Sequence, residues 1–239
     1  CFGNRIDESI KDLTPGGSAT RLFKFFVTQY SQWRDGAFSA MDSVLKRDNV
    51  TVVSLDIKKC YYSIRPDWSK VKRCIAKSSY DDEMKILMKR LTKRIKVMCA
   101  TYWEKVEELS SEFARSNYKS PALPIGLSSS RVLCNFHLSK HDDEILETLQ
   151  PVYYGRYVDD VIIVLRTTDA FLRKVSNGTE SIAEKLIDWY FLRTGILRKQ
   201  DSESKGNTEG TYSIGDEREI TVQQKKFCVF LVKKNQSKS

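Results

Sequence analysis

The chain has 239 residues, 41% of them hydrophobic and 30% charged, a balance that supports one substantial folded core and excludes a wholly disordered chain. Lys and Arg number 40 against 31 Asp and Glu, a formal charge of +9 that points to a polyanionic partner, nucleic acid first. No apolar run reaches the length of a membrane span, residues Cys1 to Arg5 show no signal-peptide pattern, and the six cysteines lack any C-x-x-C spacing; the chain therefore reads as cytoplasmic, with reduced thiols and no zinc site. It does not begin with Met, which reads as a piece of a longer chain.

After a breaker cluster at Thr14-Pro15-Gly16-Gly17-Ser18, aromatic and aliphatic residues recur at helical intervals from Leu22 to Leu45, and Gly36 divides them into two predicted helices. Phe23, Phe26, Val27, Tyr30, Trp33, Phe38, Met41 and Leu45 read as core, with a base-stacking platform as the alternative. Val50 to Ile57 is a β-branched run broken by Asp56 near its end. An acid at the open end of a buried strand is a recurrent metal-ligand position, while a turn or cap Asp explains the same residue on local grounds.

Tyr80 to Phe113 carries apolar residues at spacings of three and four, with Asp81, Asp82 and Glu83 in its first turn and Ser78 or Ser79 as cap; it is predicted as a long helix. Its Lys85, Lys89, Arg90, Lys93, Arg94 and Lys96 form either a solvated face or a track for phosphates. Ala122 to Arg131 is a Pro/Gly loop feeding a helix that starts near Ser128, Ser129 and Ser130 and runs through Leu138. His137 and His141 stand four apart, but no third ligand is evident, and both read as ordinary helix residues.

Tyr153 to Leu165 consists of two apolar, β-prone runs flanking Asp159-Asp160, and is predicted as a tight hairpin with the two acids in its turn. Adjacent carboxylates at the tip of buried strands repel, and a hard divalent cation such as Mg²⁺ relieves that repulsion; an acidic surface turn is the bland alternative. Ala170 to Arg193 again has helical period, Lys199 to Gly210 reads as a polar loop, and Glu219 to Val232 as two strands or one bent strand.

The order strand with terminal Asp, long helix, Gly/Ser loop into helix, acidic hairpin resembles the palm of reverse transcriptases. Leu55-Asp56-Ile57-Lys58-Lys59-Cys60-Tyr61 is similar to the family's first catalytic motif, Leu123-Pro124-Ile125-Gly126-Leu127-Ser128-Ser129-Ser130 to the loop under nucleotide and template, and Tyr157-Val158-Asp159-Asp160 to the Tyr-x-Asp-Asp signature. The likeness spans residues 50 to 166. Leu-Pro-Ile-Gly with the serines, the Phe2-Gly3-Asn4-Arg5 stretch and Ile220-Thr221-Val222-Gln223 resemble the bacterial abortive-infection and defence-associated branch; Ile125 and Arg131 stand where retron and group II intron enzymes usually carry Gln and Pro.

That resemblance implies an α+β fold, the fingers and palm of a right-hand polymerase with an antiparallel palm sheet and packed helices, a conventional thumb being absent or not included. Residues 1–49 would be partial helical fingers, 50–66 palm, 67–122 a helical insertion, 123–235 palm and 236–239 a tail. It implies a polymerase that adds dNTPs to a primer 3′-hydroxyl or a protein primer, RNA-directed or template-independent, in anti-phage defence. Two Mg²⁺ ions, for which Mn²⁺ can substitute, would sit on Asp56, Asp159, Asp160 and the Ile57 carbonyl. Arg5, Lys58, Lys59, Cys60, Tyr61, Ile125 and Gly126 would bind the nucleotide, Tyr61 rejecting a 2′-hydroxyl by bulk; Tyr157, Ser128, Ser129 and Lys226 would contact nucleic acid; and Lys199 or Lys205 would protonate pyrophosphate. Expected partners are an RNA template or DNA product, a protein or RNA primer, and further copies or a complex through a C-terminal region. Two rivals remain, a catalytically silent palm that only binds nucleic acid and a palm-type nucleotide cyclase.

Overall fold

The computed structural model describes residues 24–109, 121–175, 181–200, 211–222 and 226–234. Along the chain run α1 (Phe26–Leu45), β1 (Asn49–Asp56), α2 (Cys60–Ser63), α3 (Trp68–Lys77), α4 (Asp82–Leu109), α5 (Ser128–Leu149), β2 (Tyr153–Tyr157), β3 (Asp160–Thr167), α6 (Asp169–Val175), α7 (Ile182–Ile187) with a wider turn at Asp188–Leu192, β4 (Leu197–Gln200), β5 (Thr211–Ile214), β6 (Glu217–Val222) and β7 (Cys228–Val232). Mixed helix and antiparallel sheet is the α+β class expected. Two compact units emerge, Cys1–Lys58 with Leu138–Ser239, and Lys59–His137.

The first unit is built on a four-stranded antiparallel sheet in the order β2-β3-β1-β7. Strands alternate their side chains, so each face can be read from the register. On one face Ala37, Val44 and Leu45 of α1 close over Val50 and Val164, with Met41, Val52, Tyr153, Ile162 and Val232 around them. On the other, Tyr154 and Arg156 of β2 reach Asp142 of α5. The sheet is therefore covered on both sides, which is why β1 and β3 read as nearly unbroken apolar runs.

Gly36 does not divide α1. The helix is continuous through it, because the missing side chain admits the Tyr153 ring, whose Cε2 would lie 2.8 Å from a Cβ there. Gly155 is used the same way, with Trp33 Cδ1 2.7 Å and Tyr153 Cε1 2.8 Å from the Cβ position. Nor is the aromatic stripe of α1 core throughout: Trp33, Ala37, Val44 and Leu45 are buried, while Phe26, Val27, Tyr30 and Phe38 face solvent. Phe23 lies outside the described residues.

A second, three-stranded sheet of order β4-β5-β6 joins the end of β1 through an isolated bridge between Ile57 and Val222. Lys199 and Gln200, expected in a polar loop, belong to β4, and residues 201–210 lie outside the described residues. His141 is not an ordinary helix residue. It is buried, its Nδ1 3.8 Å from Glu144 Oε2 on the same helix and its Nε2 3.2 Å from Glu217 Oε1 of β6, and Glu217 is 76 positions away, which spacing on one helix cannot reveal. The single helical period of Ala170 to Arg193 resolves into α6 and α7, residues 176–180 lying outside the description. Ser181 and Glu184 cap α7 reciprocally.

The second unit is helical. Asp67 starts α3 by accepting from the Ser69 and Lys70 amides, both at 2.9 Å, and these N–H groups hold its carboxyl below the usual range. Asp81, not Ser78 or Ser79, caps α4, accepting from the Met84 amide at 2.7 Å. Along α4 the buried residues are Cys99 and Trp103, so the inner face is turned one residue away from the Leu87, Leu91 and Met98 stripe, which is exposed. None of the five described cysteines is in a disulfide, and the Cys60 and Cys134 sulfurs lie 3.6 Å apart. Among the described residues no helix is long and apolar enough to cross a membrane. Adding a methyl group at Gly155 forces the Tyr153 and Trp33 rings apart, and Gly155→Ala is expected to cost about 1–3 kcal/mol in urea unfolding.

Candidate active site

Asp56 is the last residue of β1, and the register sets it opposite Asp160, the first residue of β3, which in turn faces Tyr157 of β2. Directly paired residues share a face, so Tyr157, Asp160 and Asp56 form a row across three strands. The two acids, expected together in the turn, are divided: its central residues are Val158 and Asp159, and Asp160 already pairs as strand. The Ile57 amide donates to the Asp159 carbonyl at 2.9 Å, tying the end of β1 to the turn, and the Lys58 amide donates to Thr221 at 2.8 Å. Asp56 is buried, while Asp159 and Asp160 are half-buried.

Val158 has φ of 60° and Asp159 does not share that sign, the pattern of a type II′ turn. Glycine is the usual occupant of that position, and a β-branched residue there stores about 1–3 kcal/mol of strain. Arg156 supplies the restraint. It is the largest fully buried side chain among the described residues; its Nε and Nη2 fork onto the two oxygens of Asp142, each at 2.7 Å, and its Nη1 donates to the Val158 carbonyl at 2.9 Å. Tyr154 donates its hydroxyl to the same Asp142 carboxylate. Sequence reasoning passed over Asp142 and Arg156; the only available signal was a charged residue inside an otherwise apolar strand.

Lys226, expected on nucleic acid, places its ammonium 2.8 Å from Asp56 Oδ2. Lys199, one of the two lysines expected near pyrophosphate, is in β4 and within electrostatic reach of Glu184. Arg5 and Lys205 lie outside the described residues. In the second unit, Lys59 has φ of 51° at the start of α2, Cys60 is buried, and the Tyr61 carbonyl accepts from the Leu123 amide at 3.0 Å, bringing the first motif's aromatic segment beside the Pro/Gly loop. Gly126 needs no space but a φ of 87°. Ile125 and Ser128 are exposed, Ser129 is half-buried, and α5 starts at Ser128 as expected.

A family model described as reverse transcriptase (RNA-dependent DNA polymerase) matches residues 19–191, well over half of the chain and all three motifs. The chain belongs to the reverse transcriptase family. It is therefore an enzyme, a DNA nucleotidyltransferase, of a family that works on nucleic acid and dNTPs with divalent metals in a fingers-and-palm fold. No curated protein matches the chain.

The acids of this reverse transcriptase suit such a metal. All their donors are oxygens, and burial first, then the charges of Asp159 and Asp56, push the Asp160 carboxyl up to about 6; Lys226 opposes that rise. Burial likewise raises Asp159, with Asp56 adding to it. Among the described residues, three carboxylates against the Lys226 ammonium leave an excess of negative charge that a hard cation offsets.

Because Asp160 binds its proton more tightly folded than unfolded, its contribution weakens stability as pH rises from about 4 to about 6. Comparing urea midpoints of the metal-free protein, Asp160→Asn should gain on the parent across that window and hold its advantage above it. Removing one partner of the buried Arg156–Asp142 pair strands a charge. Arg156→Met or Asp142→Asn is expected to cost about 3–5 kcal/mol, the double change less than the sum, in a double-mutant cycle.

Proposed function

We propose that the chain extends a primer 3′-hydroxyl with dNTPs at Asp56, Asp159 and Asp160, in the manner of the abortive-infection and defence-associated branch of its family. The observation that carries the reading is the register of Asp56 against Asp160, with Asp159 in the adjoining turn: two motifs 103 positions apart meet in one row. Asp56, Asp159 and the Ile57 carbonyl would hold a pair of Mg²⁺ ions. When bound, these activate the attacking hydroxyl and neutralise the leaving pyrophosphate. Asp160 adds negative charge beside them.

Lys226 balances Asp56 while exposed to solvent, and its flexible stem lets the ammonium leave the carboxylate as a divalent cation arrives. From there it stands at the rim as a mobile positive charge toward triphosphate or nucleic acid. Tyr61 is assigned the exclusion of ribonucleotides on motif position alone. The branch assignment rests on the wording Leu123-Pro124-Ile125-Gly126, and with it the proposal that synthesis does not depend on an added template.

One observation favours the silent-palm reading, the ammonium already seated on Asp56. Labelled dNTP incorporation separates the two. Incubated with Mg²⁺ and no added template, the protein should make DNA, and Asp159→Asn should abolish synthesis while leaving oligonucleotide affinity in place. Incorporation that survives the substitution removes the site assignment. Sequencing the product then distinguishes random or homopolymeric DNA from a copy of co-purified RNA.

A further inference from the structure

On the sheet face that carries Asp56 and Asp160, the row ends in Tyr157, and Tyr157 is one ring of a larger group. Tyr30 meets it edge-on at 5.3 Å between centroids, Trp33 lies 5.9 Å from Tyr157 and 5.1 Å from Tyr30, and Phe25 and Phe26 stand 5.4 Å apart at the start of α1. The Tyr157 hydroxyl reaches the Phe26 carbonyl at 3.5 Å, closing the group onto the helix. Trp33 is buried and serves as the base of the cluster. The rest is not core, since Phe25 is 47%, Phe26 64% and Tyr30 42% exposed.

Exposed aromatic rings gathered at one place, Tyr30 against Tyr157 and Phe26 joined to Tyr157 through its carbonyl, point to a binding site. Its position selects the occupant. Three carboxylates beside it repel a phosphate backbone, so a strand held there gains little from ion pairs and must be gripped by its bases. Every base has a π face, and stacking on Tyr or Phe is tolerant of sequence. The two surfaces are continuous because Tyr157 belongs to both.

We infer that Phe26 and Tyr30, together with Tyr157, form a stacking shelf for unpaired bases at the 3′ end of a single strand, beside the acidic row. The inference rests on the proposed polymerase reading for its purpose but not for its geometry. A shelf of this kind holds a primer end that has no complementary strand, which is what synthesis without an added template requires.

The test is fluorescence anisotropy without metal, using a fluorescein-labelled oligothymidylate of about ten nucleotides and an abasic strand of the same length. The parent should prefer the thymidylate. Phe26→Ala with Tyr30→Ala should weaken thymidylate binding about tenfold or more and leave the abasic strand unchanged. Phe26→Tyr with Tyr30→Phe should restore it. The paired Leu substitutions keep apolar volume without a ring; they should bind like the Ala pair, and they carry the test if the Ala pair fails to fold in a thermal melt.

Unchanged thymidylate affinity, equal loss on both strands, or full binding by the Leu pair overturns the shelf. Loss of a homo-oligomer in size exclusion, without loss of binding, also overturns it and assigns the face to a second copy. If binding behaves as expected while Asp159→Asn still incorporates dNTPs, the polymerase site falls and the shelf stands. If incorporation needs Asp159 and binding ignores the rings, only the shelf falls.

Discussion

Two carboxylates set directly opposite each other on adjacent antiparallel strands repel, and a sheet keeps such a pair only where other contacts hold the register. Between β1 and β3 the other seven pairs do so, from Asn49 with Thr167 to Leu55 with Val161, and most are β-branched or apolar. A slip of one residue would turn Val53 and Leu55 out of one face and the acids away from Tyr157. The apolar interior of the sheet thus fixes where the charges meet. Burial first, and the neighbouring carboxylates after it, raise Asp159 and Asp160, Asp160 most clearly.

The turn that brings Asp159 to this row stores a second tension, a β-branched residue in the left-handed region. It is restrained from the opposite face of the sheet. Arg156 lies on that face, buried against α5, and spends two of its donors on Asp142 and one on the carbonyl of Val158. A buried ion pair adds little to net stability. Its geometry is what matters here, because a planar fork locked by a carboxylate leaves its remaining donor aimed at one carbonyl. The two faces of β2 therefore divide the labour, Arg156 supporting the turn and Tyr157 meeting the aromatic cluster of α1.

That cluster also accounts for how a basic chain deals with an acidic centre. The formal +9 predicts attraction to nucleic acid, yet near Asp56, Asp159 and Asp160 the ammonium in contact is that of Lys226. Charge brings a polyanion to the molecule in general, while on the Tyr157 side the acids adjoin an aromatic cluster.

The sequence by itself determined the local elements and the chemistry: β-branched runs made β1 and β3, the serines opened α5, and three acids in motif order pointed to the family. What depended on distance through space it could not carry. Periodicity shows that apolar residues share a side of a helix, but not whether anything covers that side, so Phe26 and Tyr30 looked like core, and the inner face of α4 proved to be that of Cys99 and Trp103. A glycine reads as a break when alone in a sequence, and as a seat for a ring once Tyr153 is beside it. Asp142 and Arg156, Lys226 and Asp56, and His141 and Glu217 pair only because the sheet and α5 bring them together. Long-range partners are set by packing, which leaves no spacing for a sequence to show.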